Sequence, residues 1–586
     1  MKRTLQTMQQ HMVSLFWKIA REKEEIVIDG TPGYNDKAQF VGGKVINFCC
    51  YVVLEILKET PDYDRGLAAL GQIIRMTSPM PMETWGILNG IIGLRRLQTA
   101  GLLSQVVDED TLTSLRQSMD WRTFVDVDNE YALINKPTNY YGVAFGIARH
   151  RELLNWEAEG YSQILLDCLM RHIENYSGEF SYMDETRGEG RFDRYSILIP
   201  SEVTALLLAG GMEIPGLIRT MLDNSAHIVL KMADKAGTGF SYGRSIGAYG
   251  DTAALEILSA AALLDGIFTE AEKQLAYGYT MRLIREFVDF WYDEDMESVN
   301  MWDKGRRTDN YRNKNRILGE NLSLHMQVIN CLEHWAEAGQ DTLEEPRDWE
   351  MLLDQLPAWT FTRFSRQEYD RGLVMVRDGT NIWSLPLING GTGYYDKDPY
   401  LPVPRQNYVL EGVPECRYGA MVPKIVLEDG RELMPISYIT DIDVKEENEN
   451  LTVTCTQNSL CLTGGSSPQK AEHTSAATTY RFQPGSIIRE DEFTIDPSWK
   501  VKEIILEIQT FSSKPDMKNA RAVFAEGQIK AMEAIGYDSW KAEIIGTEGE
   551  YDTPHGRLKS RIVWRKSGIP EDGVLRVKWQ METSGS

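Results

Sequence analysis

The spacing of apolar residues along the chain changes once, near residue 358. Before that point, segments such as Tyr161–Tyr176 place apolar residues three or four positions apart, which is the period of a helix with one buried face. After it, apolar and polar residues alternate in short runs, as in Leu373–Arg377 and Asn381–Leu387 on either side of an Asp-Gly turn. The pattern predicts a multidomain α+β protein, with a helical domain over 1–358 and an antiparallel β-sandwich over 359–586.

The helical part is repetitive. Loops rich in Gly, aromatic and polar residues open into apolar helices, most of them roughly 45–60 residues apart, which is enough for one helical hairpin per repeat. Six hairpins predict an (α/α)6 toroid, a ring of inner helices surrounded by outer ones. The loops that lead into the inner helices then lie together at one entrance of the ring, which we call the mouth. A solenoid or a bundle without a site is the alternative. The openings lie near Gln39, Glu83, Thr138, Asp193, Gly247 and Gly319.

Composition narrows the class of protein. The 586 residues are 42% hydrophobic and 25% charged, which is ordinary for a globular protein with a large core. The net charge of −24 argues against a nucleic-acid or anionic-membrane partner. No run of about 18 apolar residues predicts a membrane span, and the N-terminal segment lacks the apolar stretch of a signal peptide. We therefore expect a cytoplasmic protein. The sequence is compatible with a homo-oligomer as well as with a monomer.

Metal and redox chemistry have no positive signal in the sequence. The seven cysteines are odd in number and scattered, and no CxxC, P-loop or HExxH motif occurs in a supporting context. We expect buried, reduced cysteines, no metal site and no cofactor.

Chemistry-bearing residues concentrate at the predicted helix openings. Between Glu189 and Tyr195, the residues Arg191, Asp193 and Arg194 precede a tyrosine that starts a helix. Cationic neighbours favour the phenolate form of a tyrosine, which suits general acid–base catalysis. A buried tyrosine surrounded by structural Arg–Asp pairs is the alternative.

A second candidate run extends from Gly243 to Asp251. Its three glycines let the backbone approach a ligand closely, and Arg244 offers a planar fork that matches a carboxylate. Tyr249 and Asp251 are a candidate acid–base pair, unless Asp251 only caps a helix that begins at Thr252.

Other segments supply candidate substrate-binding side chains. Asn139 could donate a hydrogen bond to a substrate carboxyl group, unless it only caps the following helix. In the charge-dense loop Met301–Arg312, aromatic residues could stack on sugar faces and arginines could hold carboxylates. His325, one turn into the last inner helix, is expected to face the mouth, and His150 is expected on a helix surface. The binding candidates from these segments are Trp85, Asn139, Tyr140, Trp302, Arg306 and His325.

Part of this pattern resembles a known family. The stretch from Ser177-Gly178-Glu179-Phe180 to Asp193-Arg194-Tyr195, followed by an apolar helix, resembles the heparinase II/III-type polysaccharide lyases and their α/α-toroid relatives. The resemblance implies that Tyr195 is the general acid/base and that Asn139 neutralises a uronate. The run Gly243-Arg244-Ser245 before Tyr249 is more similar to a bacterial toroid family related to β-glucuronidase-type hydrolases. The histidine motif of the lyases has no counterpart after Tyr195.

The favoured hypothesis is an exo-acting lyase that cleaves an anionic, uronate-containing oligosaccharide by β-elimination. Tyr195 or Tyr249 would be the acid/base, and Asn139 and Arg244 would hold the carboxylate. The first alternative is a β-glucuronidase-like hydrolase, which needs two carboxylates facing the bond. The second is a non-catalytic glycan-binding protein. The carboxylates available to a hydrolase are Asp193, Asp251, Glu185, Glu189 and Glu320.

Overall fold

The computed structural model describes residues 2–35, 38, 40–308, 312–391, 400–406, 421–448, 450–465, 467–545 and 549–584. The N-terminal part of the chain is helical, and the helices end shortly before the first long strand begins. The helices are α1 (Lys2–Glu22), α2 (Val41–Tyr51), α3 (Tyr63–Thr77), α4 (Thr84–Thr99), α5 (Leu103–Val106), α6 (Glu109–Ser118), α7 (Tyr140–Leu153), α8 (Tyr161–Tyr176), α9 (Arg194–Ala209), α10 (Gly216–Met232), α11 (Ala248–Ala262), α12 (Glu270–Glu286), α13 (Ile317–Glu337) and α14 (Trp349–Asp354).

Six inner helices form a closed ring. In the order α2, α4, α7, α9, α11 and α13, each helix contacts the next, and α13 returns to contact α2. The outer helices α1, α3, α6, α8, α10 and α12 alternate with them along the chain. Every residue of α2 is buried, which explains why its sequence is apolar nearly all round. The predicted toroid of six hairpins is confirmed.

Glycines set the closest approach within the ring, between α2 and α4. A Cβ atom at Gly43 would overlap the carbonyl oxygen of Gly86, and one at Gly93 would lie 2.8 Å from Cα of Asn47. Because glycine has no Cβ, the two backbones can touch here. Lys44 follows Gly43 on α2, and Asn47 faces Gly93 of α4. The close contact between the two helices therefore holds both side chains at the inside of the ring.

The strands follow the predicted period of two. The helical domain carries three short hairpins, and the long strands begin at Trp359. The strands are β1 (Val27–Ile28), β2 (Thr31–Pro32), β3 (Val125–Asp126), β4 (Ala132–Leu133), β5 (Tyr292–Asp293), β6 (Ser298–Val299), β7 (Trp359–Arg366), β8 (Asp370–Asp378), β9 (Asn381–Leu387), β10 (Lys424–Leu427), β11 (Glu432–Met434), β12 (Ile439–Glu447), β13 (Asn450–Gln457), β14 (Leu460–Leu462), β15 (Gln469–Ala471), β16 (Thr474–Gln483), β17 (Ser486–Ile495), β18 (Val501–Thr510), β19 (Asp516–Lys518), β20 (Arg521–Val523), β21 (Ile529–Ile535), β22 (Ser539–Ile544), β23 (Asp552–Thr553), β24 (Gly556–Arg557), β25 (Ser560–Ser567) and β26 (Val574–Thr583).

Two large sheets form the predicted sandwich. One has the strand order β12-β13-β16-β17-β26-β21-β20-β19 and the other the order β15-β14-β11-β10-β18-β25-β22. All neighbouring strands in both sheets run antiparallel. Their inner faces share one core, in which Trp564 of one sheet and Trp579 of the other are fully buried.

A third sheet, β7-β8-β9, lies between the toroid and the sandwich. Leu373 and Met375 of β8 belong to the helical core, whereas Val374 and Val376 belong to the core of the sandwich. Side chains alternate across a strand, so one strand packs against both domains at once. The two domains are therefore joined by a packed interface as well as by the chain.

No helix in the described part of the chain is long and apolar enough to cross a membrane. The described cysteines are buried and free of disulfide bonds, as predicted, and Cys416 lies outside the described residues.

Candidate active site

The ring of inner helices encloses a cavity of about 750 Å³. Its lining runs from the N-terminal ends of these helices, where Trp85 and Tyr195 lie, to their C-terminal ends at Ala209 and Glu337. A cavity of this size is in the range that holds small ligands. The predicted site residues that line it are Trp85, Asn139, Tyr140, Arg194, Tyr195, Arg244 and Tyr249.

Tyr195 is the side chain around which the cationic groups of the cavity gather. Its hydroxyl oxygen accepts a hydrogen bond from Nη2 of Arg312 at 2.8 Å and lies 3.5 Å from the hydroxyl of Ser245. The guanidinium groups of Arg244 and Arg194 lie 3.9 and 4.2 Å from the centre of its ring. Arg312 therefore places a permanently charged donor on the oxygen atom that could exchange a proton with a ligand.

Arg244 is held in place by two carboxylates. It donates a hydrogen bond to Glu185, and its Nε lies 3.6 Å from Oδ2 of Asp193. Both carboxylates are almost fully buried. These two contacts hold Arg244 over the ring of Tyr195 without the help of a ligand.

Asn139 and Tyr249 line the cavity, and each has a buried oxygen atom without a hydrogen-bond partner. Asn139 precedes α7, but its side chain makes no capping hydrogen bond, and its Oδ1 is buried and unpaired. The hydroxyl of Tyr249 is likewise buried and unpaired, although Arg312 lies 3.9 Å from its ring centre. Because buried polar groups normally have partners, these two atoms are candidates for contacts to a ligand.

Asp193 lies outside the cavity lining, contrary to its predicted catalytic role. It caps α9 by accepting a hydrogen bond from the backbone N–H of Tyr195 at 2.8 Å, and it accepts another from the hydroxyl of Tyr400 at 2.8 Å. Burial raises its pKa, against the lowering effect of Arg191. Asp193 therefore positions Tyr195 and connects it to a residue of the C-terminal half.

Asp251 was also predicted as catalytic, and the structure places it in the wall of the ring. Its carboxylate accepts hydrogen bonds from the N–H of Gly239 at 2.7 Å and from the indole of Trp291 at 2.6 Å. Burial raises its pKa far above the usual range. It is not an N-cap either, since α11 begins at Ala248 and Asp251 lies in its first turn.

Most of the remaining predicted side chains are engaged away from the cavity. Arg191 pairs with Glu185, and the indole of Trp302 donates to the carbonyl of Arg312 at 2.6 Å. Arg306 donates to the carbonyl of Phe290 at 2.9 Å and stacks on its ring. His325 points to the outer side of α13, where it contacts Phe287, so the expectation that it faces the mouth is wrong. His150 was expected on a surface and is buried in the lining.

The group that links these side chains is Glu320, which was named from the sequence only as a carboxylate for hydrolysis, whereas its partner Lys44 was not predicted. Glu320 lies with Oε1 3.4 Å from Nη1 of Arg312 and with Oε2 3.6 Å from Nζ of Lys44. Burial raises the pKa of Glu320 and lowers that of Lys44, while each charge opposes the shift of the other. A lysine inside the apolar run of α2 was the available signal, because a buried lysine requires a partner.

A second acidic layer lies deeper, at Glu202 and Glu256. Burial raises the pKa of Glu202 to about 7, and burial together with the charge of Glu202 raises that of Glu256 to about 8. Arg194 acts on both in the opposite direction. These carboxyl groups belong to the cavity lining and were not among the predicted site residues.

The acidic layer predicts a pH-dependent stability. In the unfolded chain both groups titrate near 4.5, so between that pH and about 8 the folded protein retains protons that the unfolded chain has released. The free energy of unfolding therefore falls as pH rises through this window. We expect the Tm of the native protein to fall by several degrees more between pH 5 and 9 than that of the double variant Glu202→Gln/Glu256→Gln. Parallel Tm curves would contradict this prediction.

Comparison with known proteins identifies the fold. No protein-family model and no curated protein matches the sequence. A chondroitin AC lyase of Streptomyces coelicolor A3, solved as a tyrosine-to-alanine mutant, matches with a TM-score of 0.50 and 10% identity, covering 99% of this chain and 80% of that one. A xanthan lyase of Paenibacillus matches with a TM-score of 0.52 and 7% identity, covering 100% of this chain and 57% of that one, so this chain spans little more than half its length.

A heparan sulfate lyase of Pedobacter heparinus matches with a TM-score of 0.30 and 9% identity, covering 88% of this chain and 76% of that one. At such identities the matches to the chondroitin AC and xanthan lyases show the fold alone. The predicted resemblance to toroid polysaccharide lyases is confirmed at that level.

Proposed function

We propose that this protein is a carbohydrate-active lyase that cleaves a uronate-containing oligosaccharide by β-elimination. The observation that carries the proposal is the hydrogen bond between the hydroxyl of Tyr195 and Arg312 in a cavity that Asn139 also lines. The fold supports it, because two solved structures with which this chain shares its fold are named as lyases.

The arrangement can perform each part of an elimination. Asn139 and Arg244 would bind the uronate carboxylate, which stabilises the negative charge that develops when the C5 proton leaves. Tyr195, as phenolate beside Arg312, would take that proton. The C5–H electron pair then forms the C4=C5 double bond, the C4–O bond breaks, and the tyrosine proton passes to the leaving oxygen. No water is consumed.

The shape of the cavity favours attack at a chain end. All six inner helices line the cavity, so a glycan enters it along the ring axis, end first. We therefore propose an exo-acting enzyme for short oligosaccharides. The free, buried cysteines among the described residues fit a reducing compartment such as the cytoplasm.

Hydrolysis by paired carboxylates has less support. Of the carboxylates named from the sequence, Glu320 lines the cavity, and Asp193, Asp251, Glu185 and Glu189 do not. A hydrolase needs two carboxylates about 5–9.5 Å apart across the bond. The mass of the products distinguishes the two reactions, since hydrolysis adds one water and elimination adds none. We expect products without added water that absorb in the near-ultraviolet through their conjugated double bond.

Asn139→Ala tests the binding of the carboxylate. We expect kcat/KM to fall about 100-fold or more, because one preorganised hydrogen-bond donor to a developing charge is lost. Asn129→Ala, at an exposed position outside the cavity, is the matched control and should keep wild-type kinetics. Equal kinetics for both variants would remove Asn139 from the mechanism.

A further inference from the structure

On three of the inner helices, polar side chains that line the cavity recur at a spacing of seven residues. Glu202 follows Tyr195 by seven residues on α9, Glu256 follows Tyr249 by seven on α11, and Gln327 follows Glu320 by seven on α13. Seven residues are two helical turns, so the second member of each pair lies on the same face about 10 Å further along the helix. All of these residues line the cavity. The tyrosine layer is thus followed by a deeper layer of oxygen-bearing side chains, which we call the acceptor layer.

Asn47 of α2 belongs to the acceptor layer, and its hydrogen bonds fix which way its amide points. Asn89 donates its Nδ2 to the carbonyl of Trp85 at 2.8 Å, so the Oδ1 of Asn89 must act as an acceptor. Nδ2 of Asn47 donates to that oxygen at 3.3 Å. Oδ1 of Asn47 is left buried without a partner, in a side chain that is only 4% exposed.

Two other oxygens of this layer are also unpaired. Oε2 of Glu256 and Oε1 of Gln327 are buried and have no hydrogen-bond partner, although the side chain of Gln327 lowers the pKa of Glu256 as a hydrogen-bonding neighbour. Three unpaired acceptors in one cavity are costly unless a ligand brings donors to them. Arg194 is the cation that acts on both carboxyl groups, and its Nη1 already donates to the carbonyl of Tyr249 at 3.0 Å.

We infer that the acceptor layer is a subsite for an amino sugar whose amino group is unsubstituted and protonated. An ammonium group brings three donors and a positive charge, which matches amide oxygens and carboxylates that can only accept when ionised. An N-acetyl group brings one N–H and places its own carbonyl oxygen among acceptors. The inference rests on the proposed function in one respect: it puts the uronate at the tyrosine layer and the amino sugar next to it.

The titration of the two carboxyl groups supports this assignment. With pKa values of about 7 and 8, Glu202 and Glu256 hold protons near neutral pH. A bound ammonium would stabilise their ionised forms, so binding of the amine should release protons. A neutral N-acetylated sugar should not.

The experiment measures binding by titration calorimetry, in the Tyr195→Phe variant so that nothing is cleaved. The probes are two disaccharides of a uronic acid and a hexosamine, one with a free amine and one N-acetylated. We expect the free amine to bind at least about tenfold more tightly, the effect of one charge-assisted hydrogen bond, with proton release seen as a dependence of the heat on the buffer. Adding Glu256→Gln or Glu202→Gln should reduce this ratio towards one.

Glu174→Gln is the matched control, since Glu174 is exposed on the outer helix α8. It should keep the full ratio, and thermal unfolding checks that each variant is folded. Equal affinity for both disaccharides, no binding of either, or a ratio that both Gln variants leave unchanged overturns the subsite. Those results leave the elimination assay standing, whereas a preference for the amine without unsaturated products upholds the subsite and overturns the lyase.

Discussion

Tyr195→Phe is expected to lower kcat on a cleavable uronate oligosaccharide by about 100- to 10,000-fold, the usual contribution of a positioned acid–base group. The variant removes one oxygen and leaves the ring on which Arg244 and Arg194 stack. The N-cap of α9 stays intact, because Asp193 binds the backbone of residue 195 and not its hydroxyl. The loss should therefore appear in kcat while the Tm stays near that of the native protein.

Loss of the phenol also leaves Arg312 without its 2.8 Å acceptor. Since Glu320 still pairs with the same guanidinium, we expect Arg312 to remain in the cavity and substrate to bind. The measurement is the rate of formation of near-ultraviolet absorbance under saturating substrate. Tyr176→Phe, at an exposed tyrosine that ends α8, is the control and should turn over normally. Full turnover by Tyr195→Phe would rule out the tyrosine-centred mechanism.

The periodicity of the sequence predicted the fold because both domains bury one regular face. Tyr161–Tyr176 was predicted as a helix and is α8, and Asn381–Leu387 was predicted as a strand and is β9. Helix starts were predicted less well. The helix expected to begin at Thr252 begins four residues earlier, after Gly247. Gly247 has a φ of +71°, a conformation that lets the chain turn directly into the helix. The residue type alone does not distinguish such a glycine from one in the middle of a loop.

The site was predicted in part, and the failures have two different physical causes. His325 could have been excluded, since five residues from Glu320 are about 140° around the helix and Glu320 faces the cavity. Arg312 was predicted only as one of several arginines in the loop Met301–Arg312, because its partner Tyr195 is 117 residues away in sequence and spacing does not reveal their contact. Asp193 and Asp251 have the residue type of catalysts, but their buried hydrogen bonds show that they position other groups. Type and spacing do not distinguish these two roles.

The C-terminal half also takes part in building the site. Tyr400 donates to Asp193, and the amide of Asn389 donates to the carbonyl of Glu189 at 2.8 Å. Both contacts reach the loop that leads into α9, where Tyr195 lies. The segment that follows β9 therefore helps to fix the loop from which the proposed catalytic residue projects.

The contact between α2 and α4 predicts the largest effect on stability. In Gly43→Ala the new methyl group would overlap the carbonyl oxygen of Gly86 and lie 2.5 Å from its carbonyl carbon. These are backbone atoms of a buried helix, so no side chain can rotate away, and the helices must separate. We expect the free energy of unfolding to fall by about 3 kcal/mol or more, measured by denaturant unfolding.

The same separation should reach the cavity. Lys44 and Asn47 follow Gly43 on α2 by one and four residues, and both line the cavity, so a displaced α2 would move the partner of Glu320 and one member of the acceptor layer. Gly216→Ala is the matched control: it changes the same atoms at an exposed first turn of α10, with nothing within 4 Å, and should stabilise by about 0.4–1 kcal/mol. If Gly43→Ala were as stable as Gly216→Ala, α2 and α4 could not be in backbone contact. The ring would then be wider than described, and the tyrosine and acceptor layers inside it would not have the geometry argued above.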